Sequence, residues 1–129
     1  MYPADLKYTK EHEWVKVEGN RGRMGITHHA QSALGDIVFV DLPKIGQAVT
    51  QAATLGVVES VKAVSDVYAP ASGTIAERND ALEAHPELVN QDCYGKGWMV
   101  VITLANPKEL ERLMDASTYQ AYLAKEGAH

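Results

Sequence analysis

Short runs of apolar residues, each closed by turn-forming residues, recur along most of this chain. Residues 36–42, DIVFVDL, and residues 98–104, WMVVITL, are the clearest of these runs, and both have the length of an ordinary strand. Weaker alternation, bounded by turn residues, predicts further strands at 6–8, 11–18, 23–26 and 74–78. The side chains of DIVFVDL that we expect to be buried are Ile37 and Phe39, with Val38 and Val40. The pattern therefore predicts a protein built mainly from β-strands.

Helical signals are confined to short segments between strands. Thr27 can cap a short helix over residues 28–34, and Gly35 stands where a helix C-terminus favours a left-handed residue. Residues 81–84 can form one helical turn, whereas residues 86–97 are expected to be mostly loop. These segments are too short to change the fold class.

The end of the chain carries a stronger helical signal. Asn106 is a capping residue, Pro107 suits the first helical position, and Glu109 suits the third. Apolar residues recur at helical spacing through residues 107–125, with a break near Asp115. We therefore expect a small β sandwich followed by a helical tail over 107–125.

The longest apolar run, TLGVVESVKAVSDVYAP over residues 54–70, exceeds the length of one strand. It is rich in valine and has no helical caps, so two strands joined by a turn are the better interpretation. Propensity favours a turn at Ser65-Asp66. A turn at Val61-Lys62 would depart from the Asn-Gly or Asp-Gly preference of tight hairpins. Departures of this kind concentrate at functional sites, so both positions stay open on these grounds.

Length and composition narrow the possible functions. The 129 residues suit one domain over 1–129, and 46% of them are hydrophobic. The net charge of −5 without a basic cluster argues against a nucleic-acid partner. One cysteine, Cys93, excludes an internal disulfide and suits a reducing compartment. No apolar run is long enough for a membrane span, and no signal peptide is visible.

No arrangement typical of a metal or catalytic site stands out. The His12-Glu13 pair lacks the second histidine of a zinc protease helix. His28 and His29 are adjacent, so on a helix they would point to different sides. The spacing suggests neither a serine nor a cysteine triad. We therefore expect neither a metal site nor a catalytic centre.

Several longer motifs resemble the H proteins of the glycine cleavage system. The segment GVVESVKAVSDVYAPASGTI is similar to that family's lipoyl-lysine hairpin, in which the lysine of E-S-V-K-A stands at the tip. The similarity continues, in the family's order, through KYTKEHEWVKVEG, GITHHAQSALGDIVFVDLPKIG, NDALEAHPELVNQDCYGKGW and the C-terminal tail. The resemblance implies that Lys62 stands at the hairpin tip and carries lipoate in amide linkage. It also implies a lipoyl-domain-like barrel-sandwich hybrid of two antiparallel sheets, with short helices.

The residues on either side of Lys62 distinguish between the cofactors that lysine hairpins carry. Biotin-carrying domains have methionine on both sides of their lysine, and lipoyl domains of 2-oxo acid dehydrogenases usually have aspartate before it. Val61 and Ala63 fit neither pattern and resemble the H protein. By the same resemblance a lipoylating enzyme reads Glu59 and Ser60 together with these two neighbours.

The resemblance implies a carrier that is not itself an enzyme. A glycine decarboxylase (P protein) would load an aminomethyl group onto the lipoyl arm, an aminomethyltransferase (T protein) would unload it, and dihydrolipoamide dehydrogenase (L protein) would reoxidise the arm. A lipoate ligase or lipoyltransferase would attach the lipoate. An H-like protein that relays lipoate to other enzymes is the alternative function. We expect a monomer in the bacterial cytosol, with a mature mitochondrial form as the alternative location.

The resemblance also implies a surface cleft that shelters the loaded arm. The matching positions are Glu13 and Asp66. Their carboxylates would pair with the cationic amine of the cargo through charge-assisted hydrogen bonds.

Overall fold

The computed structural model describes residues 2–127 and places them in two antiparallel sheets with short helices between the strands. One sheet has six strands in the order β1-β2-β3-β9-β8-β5, and the other has three in the order β4-β6-β7. The strands are β1 (Lys7–Tyr8), β2 (Glu13–Glu18), β3 (Arg21–Ile26), β4 (Ile37–Asp41), β5 (Ala48–Val49), β6 (Thr54–Ser60), β7 (Val64–Tyr68), β8 (Gly73–Arg78) and β9 (Val100–Leu104). This architecture confirms the mainly-β prediction and its two antiparallel sheets.

The helices are α1 (His28–Leu34), α2 (Ala81–Ala84), α3 (Leu88–Gln91), a 3-10 helix (Pro107–Arg112) and α4 (Ala116–Gly127). The caps predicted for α1 are present: Thr27 Oγ1 accepts a hydrogen bond from the Ala30 amide, and Gly35 has a φ of 82°. Residues 86–97, expected to be mostly loop, contain the four-residue helix α3 and are otherwise turn or irregular. No helix within residues 2–127 is long and apolar enough to cross a membrane.

The C-terminal tail divides near Asp115, as the sequence predicts. Its first part is a 3-10 helix whose Asn106 side chain accepts a hydrogen bond from the Lys108 amide, and only its second part, α4, is α-helical. Tyr119 of α4 stacks on Tyr8 of β1, with ring centroids 4.7 Å apart. Such a pair contributes about 1 kcal/mol beyond its buried area. The tail is thereby fixed to the first strand, close to the start of β2.

A continuous apolar core lies between the two sheets. Its members come from both sheets and from the short helices, and they include Val15, Met24, Ile37, Val58, Val67, Ile75, Leu82, Val89 and Ile102. A second, smaller cluster joins β1 and β2 to the tail through Leu6, Tyr8, Trp14, Ala116 and Tyr119.

Two side chains of β4 point outward although we expected them inside. Phe39 is 49% exposed and Val38 is 54% exposed, whereas Ile37 and Val40 are buried as predicted. The cause is an irregularity in the pairing of β4 with β6 between Ile37 and Phe39. A bulge of this kind interrupts the alternation of faces, so two successive side chains can reach the same surface. The run WMVVITL is also shorter as a strand than predicted, because β9 begins only at Val100.

Candidate functional site at the lysine hairpin

Strands β6 and β7 form the hairpin that presents Lys62. Glu59 pairs with Val64, which leaves Val61, Lys62 and Ala63 as the connecting residues. The turn position favoured by propensity is wrong, because Ser65 and Asp66 lie within β7. The tip position implied by the family resemblance is the one that the structure has.

The side chain of Ser60 replaces the usual turn chemistry at this tip. Its Oγ accepts hydrogen bonds from the Ala63 amide at 3.0 Å and from the Lys62 amide at 3.3 Å. The Ser60 amide donates to the Ala63 carbonyl at 2.8 Å. Residues 61–63 are not among those with positive φ, so the turn forms without the left-handed residues of an Asn-Gly hairpin. A buried serine therefore builds the tip from inside.

A second contact fixes the tip to the body of the protein. The Val61 amide donates a hydrogen bond to the Asp36 carbonyl at 3.1 Å, next to the start of β4. Lys62 itself is exposed, and its Cε lies 3.5 Å from the point where Gly35 would carry a Cβ atom. Within residues 2–127 the Lys62 amine takes part in no ion pair. The lysine is thus displayed on a tethered backbone with its amine open to a reagent.

The surface beside the tip is more apolar than a solvated strand face. Glu59 is half-buried between its cross-strand neighbours Phe39 on β4 and Val64 on β7. Val61 is 69% exposed and Val64 67% exposed. One acidic side chain thus lies among exposed apolar side chains next to Lys62. Of the four residues that the resemblance assigns to recognition by a lipoylating enzyme, Glu59, Val61 and Ala63 are accessible to a partner protein. Ser60 is buried.

A cleft of about 360 Å³ opens further along the same hairpin, at the β7 end that is farther from the tip. Glu13 forms part of its wall and is only 1% exposed. Its Oε1 accepts a hydrogen bond from the Thr9 hydroxyl at 2.6 Å, and its Oε2 accepts one from the Tyr68 amide at 3.1 Å. Glu13 is therefore not a solvated surface acid but a buried carboxyl that joins β2 to β7. The remaining lining residues are Tyr8, Lys10, Glu11, Gln51, Ala52, Ala69, Pro70, Arg112, Leu113 and Met114.

Burial dominates the electrostatics of this carboxyl. Removal from water raises the pKa of Glu13 to about 7, and its hydrogen bonds from Thr9 and Tyr68 offset only part of that rise. None of the ion pairs among residues 2–127 includes Glu13. A buried carboxyl of this kind is best satisfied as an anion when a cation enters the cleft beside it.

Asp66 does not line this cleft. It is an exposed residue of β7 opposite Val57, two residues nearer the tip than Tyr68. Side chains two residues apart lie on the same face of a strand, so Asp66 stands between the lysine and the cleft. The sequence pointed to Glu13 but not to Thr9 and Tyr68, which hold the Glu13 carboxyl in place. Thr9 lies in a loop, and Tyr68 contributes only its backbone amide, so neither contact leaves a signal in the sequence.

The fold and the site together define a class: a small two-sheet β protein that displays one lysine at the tip of a tethered hairpin. A model of the family described as "Glycine cleavage H-protein" matches residues 6–126. The chain therefore belongs to the glycine cleavage H-protein family.

Individual relatives agree with this assignment. The glycine cleavage system H protein of Symbiobacterium thermophilum is 58% identical over 125 residues, which cover 97% of each chain. That of Bacillus pumilus is 56% identical over 118 residues, covering 92% of this chain and 93% of the relative. The crystal structure of a glycine cleavage system H protein from Mycobacterium marinum is 39% identical and superposes with a TM-score of 0.84, covering 97% of this chain and 98% of that one.

Proposed function

We propose that this protein is the lipoyl carrier of a glycine cleavage system, with lipoate attached to Lys62. In this role it takes the aminomethyl group of glycine from the P protein to the T protein, and the L protein returns the arm to its oxidised form. The observation that carries the proposal is the exposed Lys62 on a tip fastened by Ser60 and by the Asp36 carbonyl. Membership of the family and its bacterial relatives support it, and with it a place in the bacterial cytoplasm.

The residues present fit a lipoyl group. An amide at the Lys62 amine removes a charge that no ion pair within residues 2–127 requires. When bound, the group supplies a strained cyclic disulfide that can be opened and closed. A lipoyl-lysine arm is about 14 Å long at bond lengths near 1.5 Å. Strand β7, at about 3.4 Å per residue, brings Tyr68 to about 17 Å from Ala63. The mouth of the cleft is thus close to the reach of the arm.

The protein's own residues perform three tasks in this proposal. Ser60 keeps the lysine at a fixed place for each partner in turn. Glu59, with exposed Val61 and Ala63, offers the lipoate ligase or lipoyltransferase a combined acidic and apolar surface beside the lysine. Glu13 supplies a buried carboxyl in a cleft where the cationic amine of the cargo can be held away from bulk water. No bond-making step is assigned to the protein itself, which is a carrier and not an enzyme.

Replacing Lys62 tests the proposal directly. Arginine keeps the positive charge and the long stem but offers no amine for a stable amide. After treatment with a lipoate ligase, intact mass spectrometry should show one added lipoyl group in the parent and none in Lys62→Arg. The exchange of bicarbonate into glycine by the P protein should proceed with the lipoylated parent and fall to background with the variant.

Lys44 provides the matched control because it is also exposed and lies in a turn outside the hairpin. Lys44→Arg should be lipoylated and should support the exchange as the parent does. The proposal fails if peptide mapping finds lipoate on Lys44 or any other lysine while Lys62 is unmodified. It also fails if Lys62→Arg supports the exchange.

A further inference from the structure

Two histidines that are distant in the sequence meet a glutamate at the end of the chain. His12 lies in the turn before β2, His29 lies in the first turn of α1, and Glu126 lies in the last turn of α4. The potential ligand atoms of the three side chains all lie within 4.8 Å of one another. The rings of His12 and His29 are 4.5 Å apart between centroids. The proposed carrier function uses none of these residues.

The two adjacent histidines of α1 face different sides, as the sequence predicts. The His28 amide donates a hydrogen bond to the Tyr94 hydroxyl at 2.9 Å, and its ring Nδ1 lies 3.2 Å from Gln31 Nε2. The His29 ring lies instead against His12, and no side-chain hydrogen bond to it is found among residues 2–127. Only His29 is therefore free to act together with His12.

Tyr119 holds the His12 ring in an orientation suited to a ligand. A metal at Nε2 requires the neutral imidazole with its proton on Nδ1. The Tyr119 hydroxyl is 2.8 Å from His12 Nδ1 and can accept that hydrogen bond, while it donates its own proton to Thr27 Oγ1 at 2.9 Å. Ligating histidines commonly use their second nitrogen in this way, which fixes both tautomer and ring direction. His12 Nε2 then faces Glu126 Oε1 at 3.7 Å.

We propose that His12, His29 and Glu126 form a binding site for one zinc-class divalent ion. Two imidazoles and one carboxylate, with the fourth position open to water, are a common zinc ligand set. Metal–ligand distances of about 2.0–2.1 Å in a tetrahedron put ligand atoms about 3.3 Å apart. The 3.7 Å between His12 Nε2 and Glu126 Oε1 is close to that separation. Small rotations of the partly exposed His29 and Glu126 side chains can bring all three ligand atoms to coordination distance. Calcium and magnesium are excluded by their preference for oxygen ligands.

The ion would join three separate segments of the chain. The turn that carries His12 precedes Glu13 directly, α1 follows β3, and α4 ends the described chain. A ligand that binds only the folded state stabilises it in proportion to the logarithm of its concentration over Kd. Zinc should therefore raise the melting temperature and hold α4 against the start of β2.

The experiment is a titration of the unlipoylated, tag-free chain with zinc chloride, read by competition with a chromophoric chelator. The absence of lipoate removes a dithiol that would itself bind zinc. We expect one tightly bound equivalent in the parent and a loss of affinity of at least tenfold in both His29→Ala and Glu126→Gln. Neither substitution removes a buried side chain, so the variants should fold, as circular dichroism will check.

Two further variants make the result specific. His85 also lies beside a glutamate, with His85 Nδ1 3.3 Å from Glu87 Oε1, but within residues 2–127 it belongs to no group of three potential ligands. His85→Ala should bind zinc as the parent does. Tyr119→Phe removes only the hydroxyl behind His12 and should weaken binding by about 10–100-fold. In cobalt(II) spectra the parent should show the intense visible bands of a four-coordinate ion.

The site is overturned if the parent binds no stoichiometric zinc. It is equally overturned if His29→Ala and Glu126→Gln leave the affinity unchanged. In that case His12 and Glu126 form only the ion pair that their 3.7 Å separation allows.

Discussion

Glu13 combines deep burial with a proposed role that needs a charge. Its carboxyl lies beneath the cleft with a pKa raised to about 7 by burial, against an ordinary value of 4.5. An acid whose pKa is higher in the folded state binds its proton more tightly there, so it favours folding at low pH. That contribution is complete below about pH 4.5 and is lost as the pH rises through about 7.

Glu13→Gln should remove this pH dependence. Relative to the variant, the parent should lose on the order of 3 kcal/mol of unfolding free energy between pH 4 and pH 8. Urea unfolding of both proteins across this pH range, with EDTA present, gives the difference between their unfolding free energies. The contributions of the other titrating groups are the same in both proteins and cancel in this difference. A difference that stays constant from pH 4 to pH 8 would contradict the assignment.

The sequence alone could identify Lys62, but it could not identify the contacts of Glu13 and His12. Lys62 could be identified because its motif is local. The burial of Glu13 depends on Thr9 and on the backbone of Tyr68, and the pairing of His12 with His29 depends on how β2 and α1 pack. Contacts of this kind leave no periodic pattern in the sequence.

The lysine hairpin shows how one side chain can set the geometry of an element. Turn propensity points to Ser65-Asp66, yet the tip forms at residues 61–63 because Ser60 supplies acceptors for two amides there. The bulge in β4 is a second example. Alternation predicts that Phe39 is buried in the core, but the pairing of β4 with β6 places its side chain on the surface. Eight of the nine strands within residues 2–127 were predictable from local pattern, the exception being the two-residue β5. Turn position and register, in contrast, depended on contacts across strands.

Ser60→Ala should loosen the tip without unfolding the protein. The change removes the acceptor of the Ala63 and Lys62 amides and should cost about 1–2 kcal/mol of unfolding free energy. Backbone relaxation should show ordered residues 61–63 in the parent and nanosecond motion in the variant. Lipoylation of the variant should be slower, because the lysine is no longer held in one place.

Ser65→Ala is the control for this element. Among residues 2–127 the Ser65 hydroxyl donates a hydrogen bond only to the neighbouring Asp66 carbonyl, at 3.4 Å, so its loss should be nearly neutral. Equal stability and equal tip order in the two alanine variants would show that Ser60 does not build the turn.

At the scale of the molecule, the two sheets and the tail enclose the cleft between them. Glu13 comes from β2, Tyr68 from β7, and Leu113 and Met114 from the tail. A cationic cargo in the cleft would meet the buried Glu13 carboxylate, whereas Asp66 lies outside on the exposed face of β7. The enclosure suits the protection of a group that water would otherwise release.

The loaded carrier should therefore depend on Glu13 more than on Asp66. After loading by the P protein and removal of that enzyme, ammonia release should be several-fold faster in Glu13→Gln than in the parent. Asp66→Asn should have a smaller effect, because its carboxylate does not line the cleft. Intact mass spectrometry checks that all three proteins carry equal lipoate. Identical release rates in all three would reject the sheltering role.

The sheet order has a consequence for synthesis on the ribosome. Strands β4, β6 and β7 lie within residues 37–68, so every pairing partner in the lysine sheet is present once Tyr68 has emerged. Strand β3 pairs with β9, and Tyr8 of β1 bridges to Met114. The six-stranded sheet therefore cannot be completed until nearly the whole chain has been made. Translation thus delivers the lysine hairpin first, and the nascent protein keeps an open edge at β3 until β9, residues 100–104, has emerged.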